Sequence, residues 1–268
     1  MPIASTNQLL AAMTSARRVR MLKQAAFATS PYWAHSLLDV AGAPGPASSL
    51  SPGNVNGVVP VAGDPGYPRL FSFGGQEGYI ARAEAFWSVT GRLMVFDRLW
   101  VGGAYTFNAN QAVAMPSIAA RVPDWRQVEL WAETVTTITG TLVLNVGYTN
   151  QALASVTTGL QNMQQANGGP RRCVRIGLAA GDTEVRAVNS VVASSMTAGT
   201  FNLMLLRRLF TMRFDGFFGG SGSYTTRVLD ALQLPLTRIY ETSALYFMFV
   251  PDSSSSGYGD VDLDIVTG

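Results

Sequence analysis

The sequence predicts an all-β protein: a β-sandwich of jelly-roll type, carrying an N-terminal helix and an extended arm. From Arg69 onward, short apolar runs alternate with clusters of turn residues. The stretch Gln127-Val-Glu-Leu-Trp-Ala-Glu-Thr-Val alternates polar and apolar with period 2, the pattern of a half-buried strand. Helical periodicity is nearly absent after Arg69. With 268 residues, the chain is long enough for one large β domain plus an extension. The expected division is an arm over residues 1–68 and a sandwich over 69–268.

The helix comes first. Ser5 and Gln8 have capping-box spacing, and neither Gly nor Pro interrupts Gln8 to Lys23. Its apolar stripe is thin, and Arg17, Arg18, Arg20 and Lys23 make its second half basic. Those charges either complement the helix dipole or grip an acidic partner. Tyr32, Trp33 and His35 then lead into Ala41-Gly-Ala-Pro-Gly-Pro and a Ser/Gly/Pro-rich stretch to Pro68. That composition cannot build a core and should lie extended on another surface. Tyr32, Trp33, Leu37, Leu38 and Val40 would then fill pockets on a partner or pack back on the sandwich. Arg17, Arg18, Arg20, Lys23, Tyr32 and Trp33 are therefore the candidate partner-binding residues.

Eight strands are expected in the body: Tyr79 to Phe86, Gly91 to Trp100, Gln127 to Thr137, Gly140 to Tyr148, Val174 to Leu178, Glu184 to Val192, Gly199 to Leu209 and Ser243 to Val250. Thr139-Gly140 reads as a tight hairpin turn, and Thr226 to Leu234 as the one further helical stretch. Asp97 and Arg98 interrupt an apolar run. Neighbours on a strand face opposite ways, so one of them must point inward and find a partner, with Arg186 or Glu184 as candidates.

Composition narrows the function. Charged residues are 13% of the chain, against about 25% in a typical soluble domain. A surface covered by Ser, Thr, Asn, Gln and Gly packs against other proteins at low desolvation cost. The net charge of +2 is too small for wholesale nucleic-acid binding. Cys173 is alone, which excludes an internal disulfide and a cysteine-based zinc site. No apolar run approaches the roughly 18 residues that span a membrane, and the start lacks signal-peptide order. A soluble protein made in a cytoplasm is expected.

Enzyme chemistry finds little to work with. His35 is the only histidine and no G-x-S-x-G elbow exists, so triads and histidine-based metal sites lack their parts. No cofactor is expected. Gly219-Gly-Ser-Gly-Ser has no following Lys and reads as a turn rather than a phosphate loop. Glu129 and Glu133 share a strand face with Gln127 and Trp131, which is either a solvated face or a sugar groove. Asp252, Asp260, Asp262 and Asp264 are oxygen-rich enough for calcium but lack the ordered spacing of a known loop.

Several segments resemble virion proteins encoded in tailed-phage structural gene clusters. They are Tyr32-Trp-Ala-His-Ser-Leu-Leu-Asp-Val-Ala-Gly-Ala-Pro, Gly91-Arg-Leu-Met-Val-Phe-Asp-Arg-Leu-Trp, Glu129-Leu-Trp, Gly147-Tyr-Thr-Asn, Leu178-Ala-Ala-Gly-Asp-Thr-Glu-Val-Arg-Ala-Val-Asn-Ser-Val and Phe201-Asn-Leu-Met-Leu-Leu-Arg-Arg-Leu. They span most of the chain, and none is a catalytic signature. The resemblance implies a head decoration (cement) protein assembled in a bacterial cytoplasm, with the major capsid protein or other virion proteins as partners. By analogy with jelly-roll folds, a homo-oligomer is expected, with a trimer favoured. A neck, tail or fibre component and a carbohydrate-binding module remain as alternatives.

Overall fold

The computed structural model describes residues 3–106, 109–163, 169–215, 225–231, 233–234 and 236–268. The fold is all-β, with one short helix, α1 (Thr6–Met13), whose Ser5 cap accepts a hydrogen bond from the Gln8 amide. Sixteen strands follow among the described residues. The first seven are β1 (Arg17–Lys23), β2 (Ala34–Ser36), β3 (Gly42–Ala43), β4 (Asn54–Val58), β5 (Gly78–Trp87), β6 (Gly91–Tyr105) and β7 (Ala109–Ala112). Next are β8 (Val128–Thr149), β9 (Ser155–Thr157), β10 (Gln161–Asn162), β11 (Arg172–Arg175) and β12 (Ala187–Phe214). The last are β13 (Thr225–Leu229), β14 (Thr237–Ile239), β15 (Leu245–Pro251) and β16 (Gly259–Thr267).

Two sheets pack as a sandwich. The smaller runs β13-β5-β16-β1-β3, with β14 also on β5. Its inner face sets Ile80, Ala83, Ala85, Trp87, Val261, Leu263 and Ile265 against Leu93, Val95, Phe247 and Phe249 of the larger sheet. Stacked Trp87 and Phe249, with centroids 4.7 Å apart, sit in this layer.

The larger sheet closes on itself. β8 pairs with β12, β12 with β6, β6 with β15, β15 with β2, β2 with β11 and β11 with β8. Six strands thus form a ring, which removes their open edges. The lumen holds Met94, Phe96, Trp131, Cys173, Met204, Leu206, Tyr246 and Met248, and Leu38, Leu50 and Tyr67 from the preceding segment pack onto them. Beyond the ring, β8 and β12 continue as a paired ribbon with its own core of Leu142, Leu144, Val146, Tyr148, Val188 and Val191.

Several expectations need correcting. The helix ends at Met13, and Arg17–Lys23 is a strand paired along its whole length with β16. Alternation decides this: Val19 and Met21 are buried while Arg18 and Arg20 face out, which is period 2 rather than 3.6. The residues expected to form a free arm are knitted into both sheets through β1, β2, β3 and β4. Thr139-Gly140 is no hairpin turn; β8 runs straight through it with Gly140 at φ 79°, inside a stretch of register shifts against β12. Glu184 to Val192 and Gly199 to Leu209 fall largely on one strand, β12. Thr225–Leu229 is a strand on β5 rather than part of a helix. The Gly219–Ser223 segment lies outside the described residues.

Candidate functional site

Both residues of the Asp97-Arg98 pair are buried, on opposite faces of the β6 wall. Outside the ring, the Asp97 carboxylate accepts hydrogen bonds from Arg121, Arg207 (3.3 Å), the Ser243 hydroxyl (2.7 Å) and the Ala244 amide (3.1 Å). Inside it, Arg98 donates to Glu133 Oε2 (2.8 Å) and to the Tyr67 hydroxyl (3.0 Å). Glu133 also accepts from Asn202 (2.9 Å) and Tyr246 (2.9 Å). A carboxylate in a dry interior survives only with its lone pairs filled, and these two are filled. Glu184 and Arg186, the expected partners, pair with each other instead.

Glu133 therefore belongs to the barrel lumen, and Trp131 is buried against Phe96 while donating to Glu129. No sugar platform exists on that face. Cys173 shares the lumen, with its sulfur 3.6 Å from the Tyr246 hydroxyl, and burial raises its thiol well above the usual range. No group of acidic, histidine or cysteine side chains suited to a metal ion is found among the described residues. No described helix is long and apolar enough to cross a membrane.

The six predicted partner-binding residues do not form one surface. Arg18 and Arg20 line the outer face of the smaller sheet, where they pair with Asp264 (2.8 Å), Asp262 (3.6 and 3.7 Å) and Asp260. Arg82 joins the same ladder, at 3.5 Å from Asp264 and 2.8 Å from Glu84. The acidic cluster weighed for calcium is thus largely the counter-charge of β1. Arg17 lies over the Phe71 ring at 4.0 Å. Lys23 is buried, donating to the Val40 carbonyl, and burial lowers it to about 8. It is structural rather than available to a partner.

Trp33 is half-buried with Arg172 nearby, while Tyr32 is 74% exposed. Its backbone sits at φ 66°. The same pairing of bulky exposure and left-handed backbone recurs at Leu153, 69% exposed at φ 61°. Sequence reading missed Leu153, because nothing in Asn150-Gln-Ala-Leu-Ala marks it. Asn150 fixes the turn by accepting from the Ala152 and Ala154 amides.

No protein-family model and no curated protein sequence matches the chain. Among solved structures, that of infectious bursal disease virus strain Gx aligns at 8% identity and a TM-score of 0.18, covering 94% of this chain and 81% of that one. Strain Gt of the same virus gives the same figures. A D431N mutant of its VP2 protein, in derived T=1 particles, aligns at 8% identity and a TM-score of 0.15, with 94% and 78% coverage. Likeness at this level carries no argument about fold or function.

Proposed function

We propose that the chain is a structural virion protein that binds and stabilises a capsid surface, of the tailed-phage decoration kind, assembled as a homo-oligomer with a trimer favoured. One observation carries the reading: Tyr32 and Leu153 hold large apolar side chains out to solvent from left-handed backbone. A non-glycine residue in that region costs about 1–2 kcal/mol, and an exposed apolar side chain does not offset it. Side chains held so are suited to be anchors for pockets on a neighbour. The outer face of the smaller sheet fits contact with a neighbour as well. The outward charges of the smaller sheet are already paired within the chain, so contact desolvates few free ions.

The test is direct. A tagged copy expressed during infection should appear on purified particles by electron microscopy, at regular positions on the head. Density at the neck, tail or fibres would transfer the role there, and absence from particles would sink the reading. Tyr32→Ala and Leu153→Ser, singly and together, should keep the melting temperature within a few degrees and reduce particle occupancy at least tenfold. Full occupancy by the double variant would remove these two residues from the interface.

A further inference from the structure

The barrel wall is uneven. β8, β12 and β6 are joined by long ladders, whereas β2 supplies three residues and is held by two register pairs on each side. His35 belongs to both sets: it stands opposite Arg172 on β11 and opposite Phe249 on β15. Its ring is buried, edge-on to Phe27 at 5.8 Å. Nε2 lies 3.4 Å from both the amide and the carbonyl of Ser30, while Nδ1 is buried without a partner.

That geometry suits a neutral imidazole and no other state. A neutral ring has one N–H and one lone pair, and Ser30 serves either tautomer at Nε2. An imidazolium carries two N–H groups and a charge, and only the Ser30 carbonyl is in place to accept one of them. The charged groups reaching the ring are Arg171 and Arg172, both of its own sign. The Asp39 carboxylate beyond them is engaged by Arg171 at 2.7 Å. Phe27 and Ser30, which contact the ring, and Phe249, its register partner on β15, carry no charge.

We propose that the β11–β2–β15 seam is an acid-operated latch: a proton taken up by His35 parts the barrel wall there and opens the lumen thiol of Cys173 to solvent. Burial, followed by the two arginines, lowers His35 from its usual 6.5 to about 4. A group lowered on folding contributes stability that is complete above pH 6.5 and is lost as pH falls from 6.5 through 4. Opening should therefore grow across that window. Cys173 reports it well, being one strand away and directly opposite Ala34 of β2.

The chain has one histidine and one cysteine, so each readout has a single source. The full-length protein would be treated with a pyridyl disulfide, which reacts with thiols in acid, between pH 7 and 4, with rates normalised to a free small thiol. The expected result is a rise of at least tenfold between pH 7 and 4.5, with far-ultraviolet circular dichroism unchanged. In His35→Phe, and in His35→Gln should the first not fold, the rise should be less than twofold. Three results would overturn the latch: a thiol protected throughout, an equal rise in the folded variants, or reaction only where the whole protein unfolds.

Discussion

The same chemistry, arginine against carboxylate, occurs in two parts of this molecule with opposite consequences. On the outer face of the smaller sheet, Arg18, Arg20 and Arg82 interleave with Asp260, Asp262 and Asp264 in contact with water. In and beside the barrel, Arg98–Glu133 and Arg121–Asp97–Arg207 are almost wholly excluded from it. Water screens the first set, and removing a partner leaves a charge that solvates readily. Removing a partner from the second strands an ion in a low-dielectric interior. The outer ladder is a screened surface feature; the inner centres tie together strands of the wall.

The N-terminal segment contributes to both regions, so truncation gives the largest effect. Deleting residues 1–40 takes β1 from the interior of the smaller sheet and β2 from the barrel ring. The expected outcome is loss of cooperative folding, seen as a missing thermal transition. Deleting residues 1–14 removes only α1, which has no buried residue, and should leave a folded protein melting within a few degrees of the parent. A folded 41–268 fragment would mean that the ring does not depend on β2.

Single side chains come next. Glu133→Ala leaves the Arg98 guanidinium buried without a carboxylate, keeping only the Tyr67 hydroxyl, and takes an acceptor from Tyr246 and from Asn202, which keeps the Leu50 carbonyl. A cost of about 3–5 kcal/mol in denaturant unfolding is expected. Asp97→Ala, which leaves the buried Arg121 and Arg207 charges with backbone carbonyls alone, should cost about the same. Replacing Arg98 and Glu133 together by Met and Leu should recover most of the loss, because a neutral lumen has no ion to solvate. A double variant as unstable as Glu133→Ala would show that the hydrogen bonds to Asn202 and Tyr246, rather than the charge, carry the effect.

The sequence revealed the parts of this architecture that are local. Tyr79 to Phe86 and Ser243 to Val250 read correctly as strands because apolar runs bounded by turn residues have few other solutions. Asp97-Arg98 was recognisable as a buried polar site because two charges break an apolar run. Their partners were not: Arg121, Arg207 and Glu133 lie 24, 110 and 35 positions away in the chain. β1 was misread because Arg17–Lys23 has a helix-compatible composition and its alternation covers only Arg18 to Met21, while the β16 partner that pairs with it lies at the far end of the chain. Barrel closure was invisible for the same reason, since it rests on two-pair contacts of a three-residue strand.

The smallest expected effect tests the exposed side of the comparison. Arg18, hydrogen-bonded to Asp264 at 2.8 Å, holds that carboxyl below its usual 3.8. Arg18 is itself half exposed, so the pair is screened and Asp264→Asn should cost no more than about 1 kcal/mol. Because the folded carboxyl is the stronger acid, its contribution is present above pH 4 and is lost as pH falls below the unfolded value of 3.8. Salt separates this ladder from the lumen. Raising ionic strength from about 0.05 to about 1 M shortens the screening length several-fold, to roughly 3 Å. The Asp264→Asn deficit should shrink by half or more, while the Glu133→Ala deficit stays as it is. Equal salt dependence at the two sites would mean that water reaches the barrel lumen, and the contrast between the two regions would fail.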